Sequence, residues 1–296
     1  MSSSNNNRRV LPGFGLSLGY TVFYMSLLAL LPLAACFVKA FSLTPAKFIA
    51  AVWTPRAIAA YKFTLTTSLL TAIASMALGL LVAWVLVRYE FPGKRIFDSL
   101  VDLPFALPTA VAGLVYSSLY VEKGWLGQFL VPLGIKGAYS GFAVVLVLTF
   151  LGIPFVVRTL QPVLESLDAD SEEAAFLLGA TRWQTFMRVI MPTLLPALIT
   201  GFALSLARGL GEYGSVVFVS GNMPFKTEIA AVLIVARLEE FAYAEATAIA
   251  VVLLVMSFSK LVVINLLERW SREPDAFHRV IDWSRSLARL KPRWVD

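Results

Sequence analysis

The sequence predicts an all-α membrane protein with six transmembrane helices. Three observations predict it. Of 296 residues, 58% are hydrophobic and 15% charged, whereas soluble domains carry about 25% charged residues. The apolar residues fall in runs long enough to need lipid as their solvent. Most Lys and Arg lie between those runs, where loop charges orient a membrane protein.

Each run can cross about 30 Å of hydrocarbon at about 1.5 Å per residue. The six run from Leu16 to Val38, Phe63 to Val87, Leu100 to Tyr120, Gly141 to Val157, Leu194 to Val219 and Ala244 to Leu267. With the N-terminus inside, fifteen Lys and Arg fall in the inner loops and tails and eight outside. Both termini are therefore expected in the cytoplasm. The net charge of +6 belongs to this bias rather than to nucleic-acid binding.

Residues 1–15 are expected to form a flexible cytoplasmic tail, 16–268 the transmembrane domain, and 269–296 a basic cytoplasmic tail anchored to the inner leaflet. Arg8 and Arg9 before an apolar run, and Leu33-Ala34-Ala35-Cys36, have the look of a cleavable signal. The run exceeds the roughly 7–15 residues of a signal core, so it reads as a span. One cysteine, Cys36, and one histidine, His278, leave no disulfide framework and no expected metal site.

Residues 162–192, between the fourth and fifth spans, form the longest polar stretch expected in the cytoplasm. Asp170 with Glu173 fits a capping box, and Thr181 with Gln184 fits a second. Gly179 between them suits a left-handed helix end. Two short helices joined by a tight turn follow. The second, Arg182 to Arg188, is amphipathic and aromatic. Such a pair faces either a soluble partner or the lipid surface.

Arg208 and Glu212 lie four residues apart in the fifth span, on one helical face. A charge at mid-bilayer costs about 2.5 kcal/mol or more, so both should face protein or a wet cavity. They either pair to hold the fold or help an anion pass and gate its path. Pro104 and Pro108 should disturb the start of the third span. Gly201, Gly209, Gly211 and Gly214 permit close helix contact. Pro32 and Pro154 read as kinks, Trp53, Trp84 and Trp125 as interfacial anchors, and Lys260 as a snorkelling side chain.

Glu173-Ala174-Ala175, then Gly179, then nine residues, then Val189-Ile190-Met191-Pro192 resembles the EAA motif of ABC-importer permeases. Val189 and Met191 replace an Ile and a Leu and keep their apolar character. The resemblance implies a type I importer permease fold. It also implies a coupling helix that seats in a groove of an ATP-binding subunit, with Glu173, Ala174, Ala175, Gly179 and Pro192 as its coupling residues. Three further stretches resemble sulfate and thiosulfate permeases. They are Asp102 to Gly113, Ile153 to Glu165, and Leu210 to Ser215 with Ser220-Gly221-Asn222 and Lys226-Thr227-Glu228.

The similarity is to the T-type subunit. It implies a homologous W-type permease partner, two ATP-binding subunits, an external sulfate-binding protein and an inner-membrane location. The candidates for translocation path or gate are Arg208, Glu212, Pro104 and Pro108. No G-x-x-x-x-G-K-[ST] loop is present, so ATP and Mg are expected in the partner subunits and no cofactor on this chain. No catalytic residue is expected. A permease for another oxyanion such as molybdate is the nearest alternative. A secondary transporter would need more intramembrane ionisable residues than these spans offer, and an intramembrane enzyme a nucleophile and base that are not evident.

Overall fold

The computed structural model describes residues 14–271, with side chains to Leu266. His278 and the greater part of both expected tails lie outside the described residues. Among the described residues all regular structure is helical. In chain order the main helices are α1 (Phe14–Ala40), α2 (Pro45–Val52), α3 (Pro55–Arg88), α4 (Lys94–Val101), α5 (Thr109–Tyr120), α6 (Gly141–Glu165), α7 (Ala169–Leu177), α8 (Arg182–Leu210), α9 (Ala230–Glu239) and α10 (Tyr243–Ser271). Five of them, α1, α3, α6, α8 and α10, are long and apolar enough to cross a membrane.

Local chemistry starts these helices where they start. Thr54 accepts from Ala57 N at 3.1 Å and Pro55 follows at the first helical position, so α3 begins with a capped, pre-set turn. Ser140 accepts from Ala143 N at 3.1 Å and caps α6. A π-helical turn, Ser26–Leu30 in α1 and Phe186–Ile190 in α8, precedes Pro32 and Pro192 respectively. A proline lacks the amide donor and its ring crowds the carbonyl four residues back, and a widened turn relieves both defects.

The centre of the molecule is α3 packed on α6 and α8. Ala83, Leu86, Val156, Val157, Leu160, Leu194 and Leu198 are buried together there. In lipid such packing rests on close van der Waals contact rather than on water exclusion. Small side chains permit the approach: Gly201 sits against Val156, and Gly209 against Ser68. One face of α3 buries Thr64, Thr67, Ser68, Thr71 and Ser75. Thr64 and Thr67 donate back to carbonyls of their own helix at 2.8 and 2.7 Å, as hydroxyls do where water is scarce. α9 and α10 join the N-terminal half of α3 through Ala230, Leu233 and Ile249. Ala40 and Val52 pack α1 and α2 against Ala248 and Val251 of α10. Cys36 and Phe37 pack partly on the same cluster, and the apolar side chains of residues 14–35 point outward, as those of a lipid-facing helix do.

Two expected spans are not continuous helices. The third is divided into α4, a single turn Leu103–Ala106, and α5. Leu107 and Pro108 are extended, so the helix breaks where Pro104 and Pro108 forbid it. The fifth ends at Leu210, with Gly211 as its cap, and resumes only as the turn Val216–Val219. Thus Glu212 lies past the helix end, not on its face. Trp53 and Trp125 are exposed as anchors would be, but Trp84 turns inward onto Phe186 and Arg88. Pro154 is accommodated within α6.

Candidate functional site

The polar stretch between the fourth and fifth spans folds into the expected helix pair, although both flanking spans run into it: α6 continues to Glu165 and α8 starts at Arg182. The second capping box is present in full: Thr181 Oγ1 accepts from Gln184 N at 3.3 Å, and Thr181 N donates to Gln184 Oε1 at 2.8 Å. The first is not. Asp168 is the N-cap residue of α7, without a side-chain cap bond, and Asp170 lies inside the first turn with Glu172. An acidic first turn satisfies the helix dipole without a box. Gly179 has φ +80°; its N–H donates to Phe176 O at 2.9 Å and that of Ala180 to Ala175 O at 3.0 Å. These two bonds make a Schellman end that only glycine enters without strain.

The base of the pair is fixed and its tip is bare. Arg88 at the end of α3 pairs with Glu172, and its guanidinium stacks over Trp84 at 5.2 Å. Trp84 meets Phe186 edge-on at 5.5 Å, and Trp183 stacks on Phe186 at 5.9 Å. Glu173 and Ala174 are exposed, and Phe176, Leu177 and Leu178 are 76%, 84% and 88% exposed. Glu172, Glu173, Phe176 and Leu177 line a recess of about 400 Å³. Pro192 lies just beyond the π-helical turn, where α8 leaves the pair.

The two broken spans meet. The α5 backbone lies so close to Ser215 that a Cβ at Gly113 would collide with the Ser215 carbonyl. Ser117 Oγ donates to Phe218 O at 2.8 Å across the same contact. Beside it, Arg208 Nη1 lies 2.5 Å from Glu212 Oε2. The other Glu212 oxygen accepts from Ser215 N at 2.8 Å and Ser215 Oγ at 3.0 Å. Glu212 is buried while Arg208 is about one-third exposed, so the pair has one enclosed member and one that reaches the surface. Pro104 is buried and Pro108 exposed at the break. Membranes tolerate irregular backbone beside protein or a wet cavity, and here Pro104, Glu212 and Ser215 are buried while Pro108 and Tyr213 are exposed.

Two further charged clusters join residues far apart in sequence. Arg56 makes a two-pronged contact to buried Glu228, Nε to Oε2 at 2.9 Å and Nη2 to Oε1 at 2.7 Å. Nearby, Ala230 N donates to Thr64 Oγ1 at 2.8 Å. Glu228 ends a loop ordered by its own polar residues: Ser220 Oγ donates to Asn222 Oδ1 at 2.6 Å, and Met223 N to Thr227 Oγ1 at 3.1 Å. The second cluster centres on Arg158 of α6, which holds Asp98 of α4 and Asp102 just beyond it. The Asp98 carboxyl sits below its ordinary value because Gln161 donates to it and Arg158 pairs with it, outweighing desolvation. Its stabilising contribution is present at neutral pH and lost as the pH falls through that lowered value. The only advance signal for either cluster is in the resemblance stretches, which contain Asp102, Arg158 and Glu228.

A helical membrane chain with two interrupted spans joined beside an ion pair, and an anchored helix pair projecting from its core, has the build of a transport permease. The chain belongs to the family of binding-protein-dependent transport system inner membrane components, which matches residues 75–273. It is 48% identical over 263 residues to the sulfate transport system permease protein CysT of Escherichia coli strain K12, covering 89% of this chain and 95% of that protein. It is 51% identical over 252 residues to the CysT protein of Synechocystis sp., covering 85% and 88%. The crystal structure of a bacterial ABC transporter that imports alginate contains a chain of the same fold, with TM-score 0.69 at 20% identity over 86% of this chain and 94% of that one. An inward-facing methionine ABC transporter matches with TM-score 0.55 at 16% identity, over 73% and 96%. The protein is a multi-pass ABC-importer permease, with a role in transport rather than catalysis.

Proposed function

We propose that this chain is the sulfate-translocating permease subunit of an ATP-driven importer in the cytoplasmic membrane. It pairs with a homologous permease, receives sulfate from an external binding protein, and is driven by two ATP-binding subunits that hold ATP and Mg. The α7–α8 pair faces the cytoplasm and is the coupling element, with Glu173, Ala174, Ala175 and Gly179 at the contact and Pro192 at its root. The observation that carries the coupling role is the contrast within this pair: a base locked by Arg88, Trp84 and Phe186, and a bare apolar tip at Phe176 to Leu178. An apolar tip rimmed by charge suits a protein groove, and a locked base lets a push on the tip move α3 and α8 together. The sulfate reading is supported by relatives near half identity over almost their full length.

The test is reconstitution of the full complex in vesicles. Uptake of labelled sulfate should require ATP and the loaded binding protein, and excess thiosulfate should compete. Uptake of molybdate with none of sulfate would move the substrate to another oxyanion. Uptake driven by an ion gradient without ATP would sink the importer reading.

Orientation has its own test. Single cysteines at Ala46, Lys136 and Phe225 should react with an impermeant thiol reagent added outside, and one at Lys94 should react only after the membrane is opened. Outside labelling at Lys94 would invert the topology.

A further inference from the structure

We propose that Arg158 is a positioning residue of the transport cycle, a clamp that ties the C-terminal part of α6 to the elbow at Asp102 and so passes movement of the coupling pair to the Pro104–Pro108 break. The inference rests on the coupling role proposed above for α7–α8 and adds the route by which that role reaches the broken span.

The geometry is that of a filled fork. A guanidinium has five N–H donors, and each one at Arg158 has a partner. Nε donates to Asp102 Oδ1 at 2.8 Å and Nη2 to Asp102 Oδ2 at 2.6 Å, a two-pronged carboxylate contact. Nη1 donates to Asp98 Oδ1 at 2.7 Å and to Gln161 Oε1 at 2.6 Å. The second Nη2 donor meets the backbone carbonyl of Asp98 at 2.9 Å. That carbonyl is in the last turn of α4, where a helix leaves its carbonyls unpaired. Arg158 therefore caps α4 as well as binding its acids. Gln161 closes the ring by donating to Asp98 Oδ1 at 2.9 Å.

Position gives the cluster its consequence. Arg158 is two turns before the end of α6, which leads directly into α7. Asp102 is the residue between α4 and the single turn Leu103–Ala106, after which the chain breaks at Leu107 and Pro108. Past the break, α5 lies against Ser215, next to Glu212. A simple surface ion pair needs neither a second carboxylate nor a capped carbonyl. The residues are partly exposed, at 33% for Arg158, 42% for Asp98 and 48% for Asp102, so charge attraction alone is screened and the fixed fork supplies the directionality.

The test uses the complete reconstituted importer, with ATP hydrolysed and sulfate taken up measured on the same vesicles. R158K keeps the charge but loses the fork, and R158Q loses both. Each should hydrolyse ATP but take up about tenfold less sulfate per ATP, within the roughly two- to thirtyfold coupling change of residues that touch neither ligand. The exchange R158D with D102R returns one ion pair but neither the Asp98 contact nor the α4 cap, so it should recover the ratio in part, above R158Q and below wild type. If R158Q fails to accumulate, R158K and the exchange carry the test. Unchanged sulfate per ATP in R158K, with wild-type uptake intact, overturns the clamp and leaves the importer reading standing. A wild-type complex that takes up no sulfate with ATP overturns the importer reading and the clamp's role with it.

Discussion

Arg208→Ala is expected to deplete the protein from the membrane and abolish what uptake remains. Glu212 is buried, and one of its two oxygens faces Arg208. Ser215 N and Oγ hold the other. Removing the arginine strands a carboxylate in an enclosed place, a loss of about 3–5 kcal/mol. That is a large part of the 5–15 kcal/mol typical of folded domains.

The double variant Arg208→Gln with Glu212→Gln removes both charges and keeps polar groups that can still bond, so assembly should recover. Uptake then separates the two roles. Full uptake by the double variant makes the pair structural. Recovered abundance with sulfate uptake still low assigns Arg208 to the anion's path, which its one-third exposure permits. Both quantities must be measured in the same membranes.

The residues explain which features could be read in advance. Thr181 with Gln184 and Gly179 were legible because caps and left-handed ends depend on neighbours three to five residues away. The Arg208–Glu212 pair was legible for the same reason. The details of the spans were less so. Leu194 to Val219 averages as one apolar run despite Arg208 and Glu212, and hydropathy averaged over a span does not locate a break inside it. The break at Gly211 is stabilised by Glu212 bonding to Ser215 and by the close fit of Gly113 on Ser215. Arg56 with Glu228, and Arg158 with Asp98 and Asp102, are set by tertiary contact across 172 and 56–60 residues. No local period announces them. Asp170 misled because several acids at one helix start compete for a single cap.

Glu173→Lys and Gly179→Val should each cut ATP-dependent uptake more than tenfold while abundance and insertion stay near normal; the threshold corresponds to about 1.4 kcal/mol of lost coupling. The magnitudes decide why the fold should survive. Glu173 is exposed and sits beyond the first turn of α7, so reversing its charge costs the helix less than about 1 kcal/mol through the dipole. Valine at Gly179, φ +80°, adds strain of about 1–3 kcal/mol, confined to the turn between α7 and the start of α8. Neither change touches the α3–α6–α8 core, and the anchor from Arg88 to Glu172 and from Trp84 to Phe186 stays in place. Transport can then fail only through what the tip contacts. The lysine puts a positive charge where an acid would meet the proposed partner, and the valine re-aims Phe176 to Leu178 relative to α8. Hydrolysis by the ATP-binding subunits should persist or fall only slightly, so the diagnostic result is ATP consumed without sulfate moved. Normal uptake by both variants would show that the exposed tip is not the coupling contact. The apolar side chains of α7 would then have to be assigned to the lipid surface instead.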